Sequence, residues 1–124
     1  MLRVLLVGDD SDVAETVKSV LQNFFPQSEV EYIPDGDGFR KGKWRKGPWD
    51  LVILDLMMPG ITGFDACEQI RACPTTCSVP ILALTGYDTL QNEDKIKAAG
   101  ASGYMAKPFE IVNLKEEIQK LISK

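Results

Sequence analysis

Five short runs rich in Val, Ile and Leu recur along the chain, at residues 3–7, 29–33, 51–54, 79–84 and, more weakly, 102–106, with helix-like segments between them. Such alternation folds as a parallel sheet with crossover helices, because parallel neighbours cannot be joined by a tight turn. The runs at 3–7, 51–54 and 79–84 are apolar without alternation, so they belong in the middle of the sheet, covered on both faces. The expected class is α/β.

The connecting segments carry their own signals. Val13, Val17, Val20, Leu21 and Phe24 keep helical spacing, with Asp12 and Glu15 as a capping box and Pro26 as the stop. A helix is expected from Thr62, as N-cap, to before Pro74, and another from about residue 88 to 99, closed by Gly100. After Pro108, Ile111, Leu114, Ile118, Leu121 and Ile122 form one apolar stripe, while Lys115, Glu116, Glu117 and Lys120 face water. Residues 35–50 contain Gly36, Gly38, Gly42, Gly47 and Pro48, so any helix there is short or frayed.

With 124 residues, 44% hydrophobic and 26% charged, the sequence fits one globular domain over residues 1–124. No apolar run approaches the roughly 20 residues a membrane-spanning helix needs, and no signal-peptide pattern opens the chain; a cytoplasmic protein without membrane contact is expected. A formal charge of −4 gives no electrostatic reason to bind nucleic acid directly. Cys67, Cys73 and Cys77 lack zinc spacing and read as reduced thiols. The chain has no histidine, which excludes imidazole-based catalysis and imidazole metal sites. Any chemistry runs on carboxylates, lysine and hydroxyls.

In an open α/β sheet, ligands bind at the carboxyl ends of the strands. Asp9 and Asp10 follow the first run, Asp55 closes the third, Thr85 the fourth and Lys107 the fifth. An Asp pair after a strand is ordinarily a helix cap. Asp55 resists that reading, since it follows four apolar residues and precedes Leu56, Met57 and Met58. At about 4 Å and an effective dielectric near 20, two carboxylates repel by about 4 kcal/mol, so a cation has to join them. Mg²⁺ suits such a site, being a hard ion that takes a few carboxylates, waters and phosphate oxygens. Lys107 adds a second positive charge. A phosphoryl group on Asp55 would share its oxygens among the metal, the Lys107 ammonium and the Thr85 hydroxyl, with the carboxylate as nucleophile. A cis Lys107–Pro108 bond is expected, to aim the lysine back across the strand ends.

Val7-Gly8-Asp9-Asp10, the run Asp55-Leu56-Met57-Met58-Pro59-Gly60 followed by Gly63, the pair Thr85-Gly86, and Tyr104-Met105-Ala106-Lys107-Pro108-Phe109 resemble, in order and interval, the receiver domain of bacterial response regulators, the CheY-like family. The resemblance implies a flavodoxin-like, doubly wound (βα)5 fold with strand order 2-1-3-4-5. It implies Asp55 as phosphoacceptor, Asp10 and Asp55 as direct Mg²⁺ ligands, Asp9 acting through water, and the Met57 backbone carbonyl completing the set. Thr85 and Tyr104 correspond to the switch pair that reshapes the face made by the fourth helix, fifth strand and fifth helix. The implied phosphodonor is a histidine kinase or phosphotransfer protein, with small acyl phosphates as substitutes. A downstream effector or a fused output domain would read the signal, and a phosphorylation-dependent dimer stays open. The chain would be a phosphoacceptor rather than an enzyme in its own right.

Two departures stand out. Gly8 replaces what is more often a larger apolar residue, and is expected to loosen the first strand's end without touching the ligands. Residues 40–46 hold Arg40, Lys41, Lys43, Arg45 and Lys46 without an acid, as either a solvated face or a docking patch. Trp44 and Trp49 read as packing residues. Met57 and Tyr87 flank the path of an attacking water and have no group suited to orient it, so slow hydrolysis is expected. Among rival readings, dehalogenase-type chemistry wants an Asp at position 57, and a nucleotide site would suffer repulsion from Asp9, Asp10 and Asp12. The serious alternative is a receiver that is never phosphorylated and acts only as a protein interaction module. The last helix ends close to Lys124, leaving open a stand-alone protein or a piece of a longer one.

Overall fold

The computed structural model describes residues 2–56, 60–86, 90–107 and 109–123. The apolar runs become β1 (Leu2–Val7), β2 (Ser28–Ile33), β3 (Leu51–Asp55), β4 (Ile81–Thr85) and β5 (Gly103–Ala106), all parallel, in the order β2-β1-β3-β4-β5. Between and after them lie α1 (Ser11–Phe24), α2 (Gly36–Arg40), α3 (Gly63–Ala72), α4 (Leu90–Ala98) and α5 (Ile111–Ile122). This is the expected flavodoxin-like arrangement.

Alternation along the central strands splits the core in two. Leu5, Val7, Val52, Leu54, Ile81 and Ala83 face one side, packed with Phe39, Ala66, Ile70 and Ile96. Val4, Leu6, Leu51, Ile53, Leu82 and Leu84 face the other, against α1 and α5 through Val17, Leu21, Leu114 and Ile118. Every residue of β3 and β4 is buried, as the unbroken apolar runs required. Among the described residues no helix is long and apolar enough to cross a membrane.

Several boundaries differ from expectation for identifiable reasons. The N-cap of α1 is Asp10, not Asp12: its extended backbone puts Oδ1 where it accepts from the amides of Asp12 (3.0 Å) and Val13 (3.2 Å). The strand at 79–84 begins only at Ile81, because the Val79 amide turns back to the Thr76 carbonyl and Pro80 has no N–H to give. The second crossover is indeed short, α2 being followed by a single 3₁₀ turn over Lys43–Lys46. Thr62 caps α3 as expected, its Oγ1 accepting from the Asp65 amide. The proposed start of the fourth helix near residue 88 lies outside the described residues.

Candidate functional site

Four buried apolar residues carry Asp55 to the C-terminal edge of the sheet, where it is only 3% exposed. An ionised carboxylate cannot stay there uncompensated. The compensation comes from the far side of the sheet: the Lys107 amide donates to the Thr85 carbonyl at 2.6 Å, directly after β5, and its ammonium reaches back to Asp55 Oδ2 at 2.8 Å. The same nitrogen lies 3.5 Å from Asp10 Oδ2. Asp10 thus uses one oxygen to cap α1 and turns the other toward the lysine. The Val13 amide foremost, and Lys107 after burial has pulled the other way, holds the Asp10 carboxyl below the usual carboxylate range.

Asp9 stands exposed at the same edge. Its charge is felt at Tyr32, whose phenol is pushed up chiefly by burial and then by the charges of Asp9, Asp10 and Asp55 together. Thr85 is 1% exposed. In the register of β4 with β5, Ala83 pairs with Tyr104, so Thr85, two residues on, shares its face with the Tyr104 ring on the α3–α4 side. Asp10, Asp55, Thr85 and Lys107 therefore meet at one rim, with Tyr104 one step behind Thr85. The Met57 carbonyl, Tyr87 and the Lys107–Pro108 bond lie outside the described residues; the described cis bond is Gly47–Pro48.

Gly8 corrects an expectation. A Cβ placed on it would fall 2.5 Å from Asp55 Cβ and 3.5 Å from Asp55 Oδ2, so this glycine lies directly against the Asp55 side chain instead of standing apart from it. Gly63 has a related role: its amide donates to the Leu56 carbonyl at 3.1 Å, and a Cβ there would lie 2.5 Å from Leu56 Cα. Only glycine lets α3 begin so close to the end of β3. Sequence reading placed Arg40 only in the basic segment and missed its contact here, where the guanidinium donates to the Gly60 carbonyl at 3.0 Å. No local signal marks that contact.

Among the described residues, no three acidic or sulfur side chains form a ready metal cage. The donor set still fits Mg²⁺, which asks for only one or two carboxylates and completes its shell with water and phosphate oxygens. Asp10 and Asp55, already sharing one ammonium, are such a pair.

The model of the response regulator receiver domain matches residues 4–119. The chain belongs to this family. Receiver domains are phosphorylated by kinases in two-component signalling, as phosphoacceptors rather than enzymes in the usual sense. This receiver is 36% identical over 107 residues to the transcriptional regulatory protein YrkP of Bacillus subtilis, covering 86% of this chain and 43% of that protein. Its fold matches the signal receiver domain of a DNA-binding response regulator from Colwellia psychrerythraea, with TM-score 0.89, 29% identity and full coverage of both chains. It also matches the receiver domain of the sensor histidine kinase PA1611 of Pseudomonas aeruginosa, solved with a magnesium ion coordinated in the active site cleft (TM-score 0.86, 26% identity, covering 99% of this chain and 98% of that one). The chain spans about half the length of the curated transcriptional regulators it matches.

Proposed function

We propose that residues 1–124 form one receiver unit that takes a phosphoryl group on Asp55 from a phosphohistidine of a histidine kinase or phosphotransfer protein. What carries this reading is the buried Asp55 carboxylate with the Lys107 ammonium at 2.8 Å and Asp10 beyond it. An Asp55 oxygen attacks phosphorus, the P–N bond breaks, and the leaving imidazole keeps the electron pair and is protonated. Lys107 neutralises charge on the phosphoryl oxygens, and Thr85 Oγ1 donates to one of them. Asp10 and Asp55 would hold Mg²⁺ directly, with Asp9 through water and the Met57 carbonyl as a further ligand. The metal, when bound, draws negative charge off the phosphoryl oxygens. Thr85 moving toward the phosphoryl group makes room for Tyr104 to turn inward, altering the α4–β5–α5 face that a downstream effector or a fused output domain, or a second copy in a dimer, would read. We place the protein in the cytoplasm, with no direct role in binding nucleic acid.

Incubation with acetyl phosphate and Mg²⁺, followed by intact mass, separates this reading from an unphosphorylated interaction module. One phosphoryl group should appear, and should be lost with Asp55→Asn or with chelator; no gain in mass would favour the interaction module. Met57 and Tyr87 offer the attacking water no orienting amide or carboxylate, so the acyl phosphate should be long-lived. Met57→Asn should shorten its lifetime, and a lifetime unchanged or lengthened would contradict this.

A further inference from the structure

Apart from the contact of Arg40 with Gly60, the basic stretch that runs on from the end of α2 stands clear of the site at the strand ends, and it is built on a buried anchor. Trp44 anchors it, 1% exposed, stacked on Phe39 with ring centroids 4.7 Å apart. The Trp44 indole N–H donates to the Phe39 carbonyl at 2.9 Å, and that of Trp49 to the Trp44 carbonyl at 2.8 Å. Around this frame Arg40, Lys41, Lys43, Arg45 and Lys46 are all exposed. Arg40 pairs with Asp37, and the Arg45 guanidinium lies over the Trp44 ring at 4.7 Å. Among the described residues, no carboxylate pairs with Lys41, Lys43, Arg45 or Lys46.

Charge is segregated across the molecule. Taking these five cations from the formal −4 leaves −9 on the remainder. A four-residue 3₁₀ turn rises about 2 Å per residue, so its cations lie within roughly 8 Å, about one Debye length at physiological ionic strength. They act together on one partner of matching size. We propose that this turn is a docking surface for a short acidic segment of a protein partner. A nucleic acid fits it less well, because a polyanion longer than the patch meets the acidic remainder, and both indoles are engaged within the turn instead of being offered to bases.

Titration of the full chain with a short polyglutamate peptide, followed by amide and indole N–H chemical shifts, tests the proposal. Shifts should concentrate on residues 40–47 and the Trp44 and Trp49 indoles, and fade as salt is raised. Replacing Lys41, Lys43, Arg45 and Lys46 together by Gln should weaken binding about tenfold or more, with the far-ultraviolet spectrum and acetyl phosphate labelling unchanged. Removing the same charge elsewhere, with Lys95, Lys97, Lys115 and Lys120 to Gln, should leave binding intact. Absent or scattered shifts, equal losses in the two variants, or tighter binding of a single-stranded oligonucleotide of equal charge on the same residues would overturn it.

Discussion

At the scale of single residues, the site is a problem of charge burial in which Lys107 supplies the counter-charge. Asp55 is almost sealed from water, whereas Lys107 keeps a second partner in Asp10, so the two halves of the pair are not equivalent. Lys107→Met removes the counter-charge of a buried carboxylate and should lower the unfolding free energy by about 3 kcal/mol. Asp55→Asn leaves the ammonium facing Asp10 and should cost less than about 1 kcal/mol. Denaturant melts of the two variants check this, and equal costs would show that Asp55 is not held chiefly by the lysine. Cys67 supplies a pH signature of its own: burial raises its thiol from 9.0 to about 11, opposed in part by Arg71 and helped to a lesser degree by Glu68. A raised folded value means the protonated thiol is favoured in the native state. Its contribution is complete below pH 9 and lost as pH climbs through about 11. Cys67→Ala should therefore flatten the fall in stability over that window, and a slope unchanged from the parent would contradict the assignment.

At the scale of elements, what could be read from the chain was whatever periodicity or strand-end position encodes. The three central strands announced themselves because burial on both faces forbids alternation, and α1 and α5 because each keeps one apolar stripe. Asp10, Asp55, Thr85 and Lys107 were legible as a set because parallel topology sends all strand ends to one rim. What stayed hidden depends on contacts between distant segments. The cap at Asp10 instead of Asp12, the closeness of Gly8 to Asp55 and the reach of Arg40 to Gly60 leave no mark in local spacing. Arg71 belongs to the same hidden class. From α3 it donates to the carbonyls of Gly100 (2.8 Å), Cys77 (3.2 Å) and Val79 (2.6 Å) and to Ser102 Oγ (3.2 Å), tying together the loops that enter β4 and β5. Arg71→Met should cost about 2 kcal/mol and speed amide exchange at residues 76–80 and 99–102. Arg71→Lys should recover little, since one ammonium cannot span a planar fork; full recovery would mean that charge alone matters.

At the scale of the whole molecule, the doubly wound sheet separates three tasks. Its C-terminal rim gathers the acids, the hydroxyl and the lysine; the α3–α4 side carries Tyr104 next in line; and the basic turn, anchored in that same half of the core by Trp44, turns its cations to solvent. The decisive property of the molecule is where a phosphoryl group is attached. Borohydride trapping after incubation with a phosphodonor and Mg²⁺ converts an aspartyl phosphate to homoserine, which peptide sequencing then locates. Homoserine at position 55 alone is the predicted result; homoserine at position 9 or 10, or none anywhere, would contradict it.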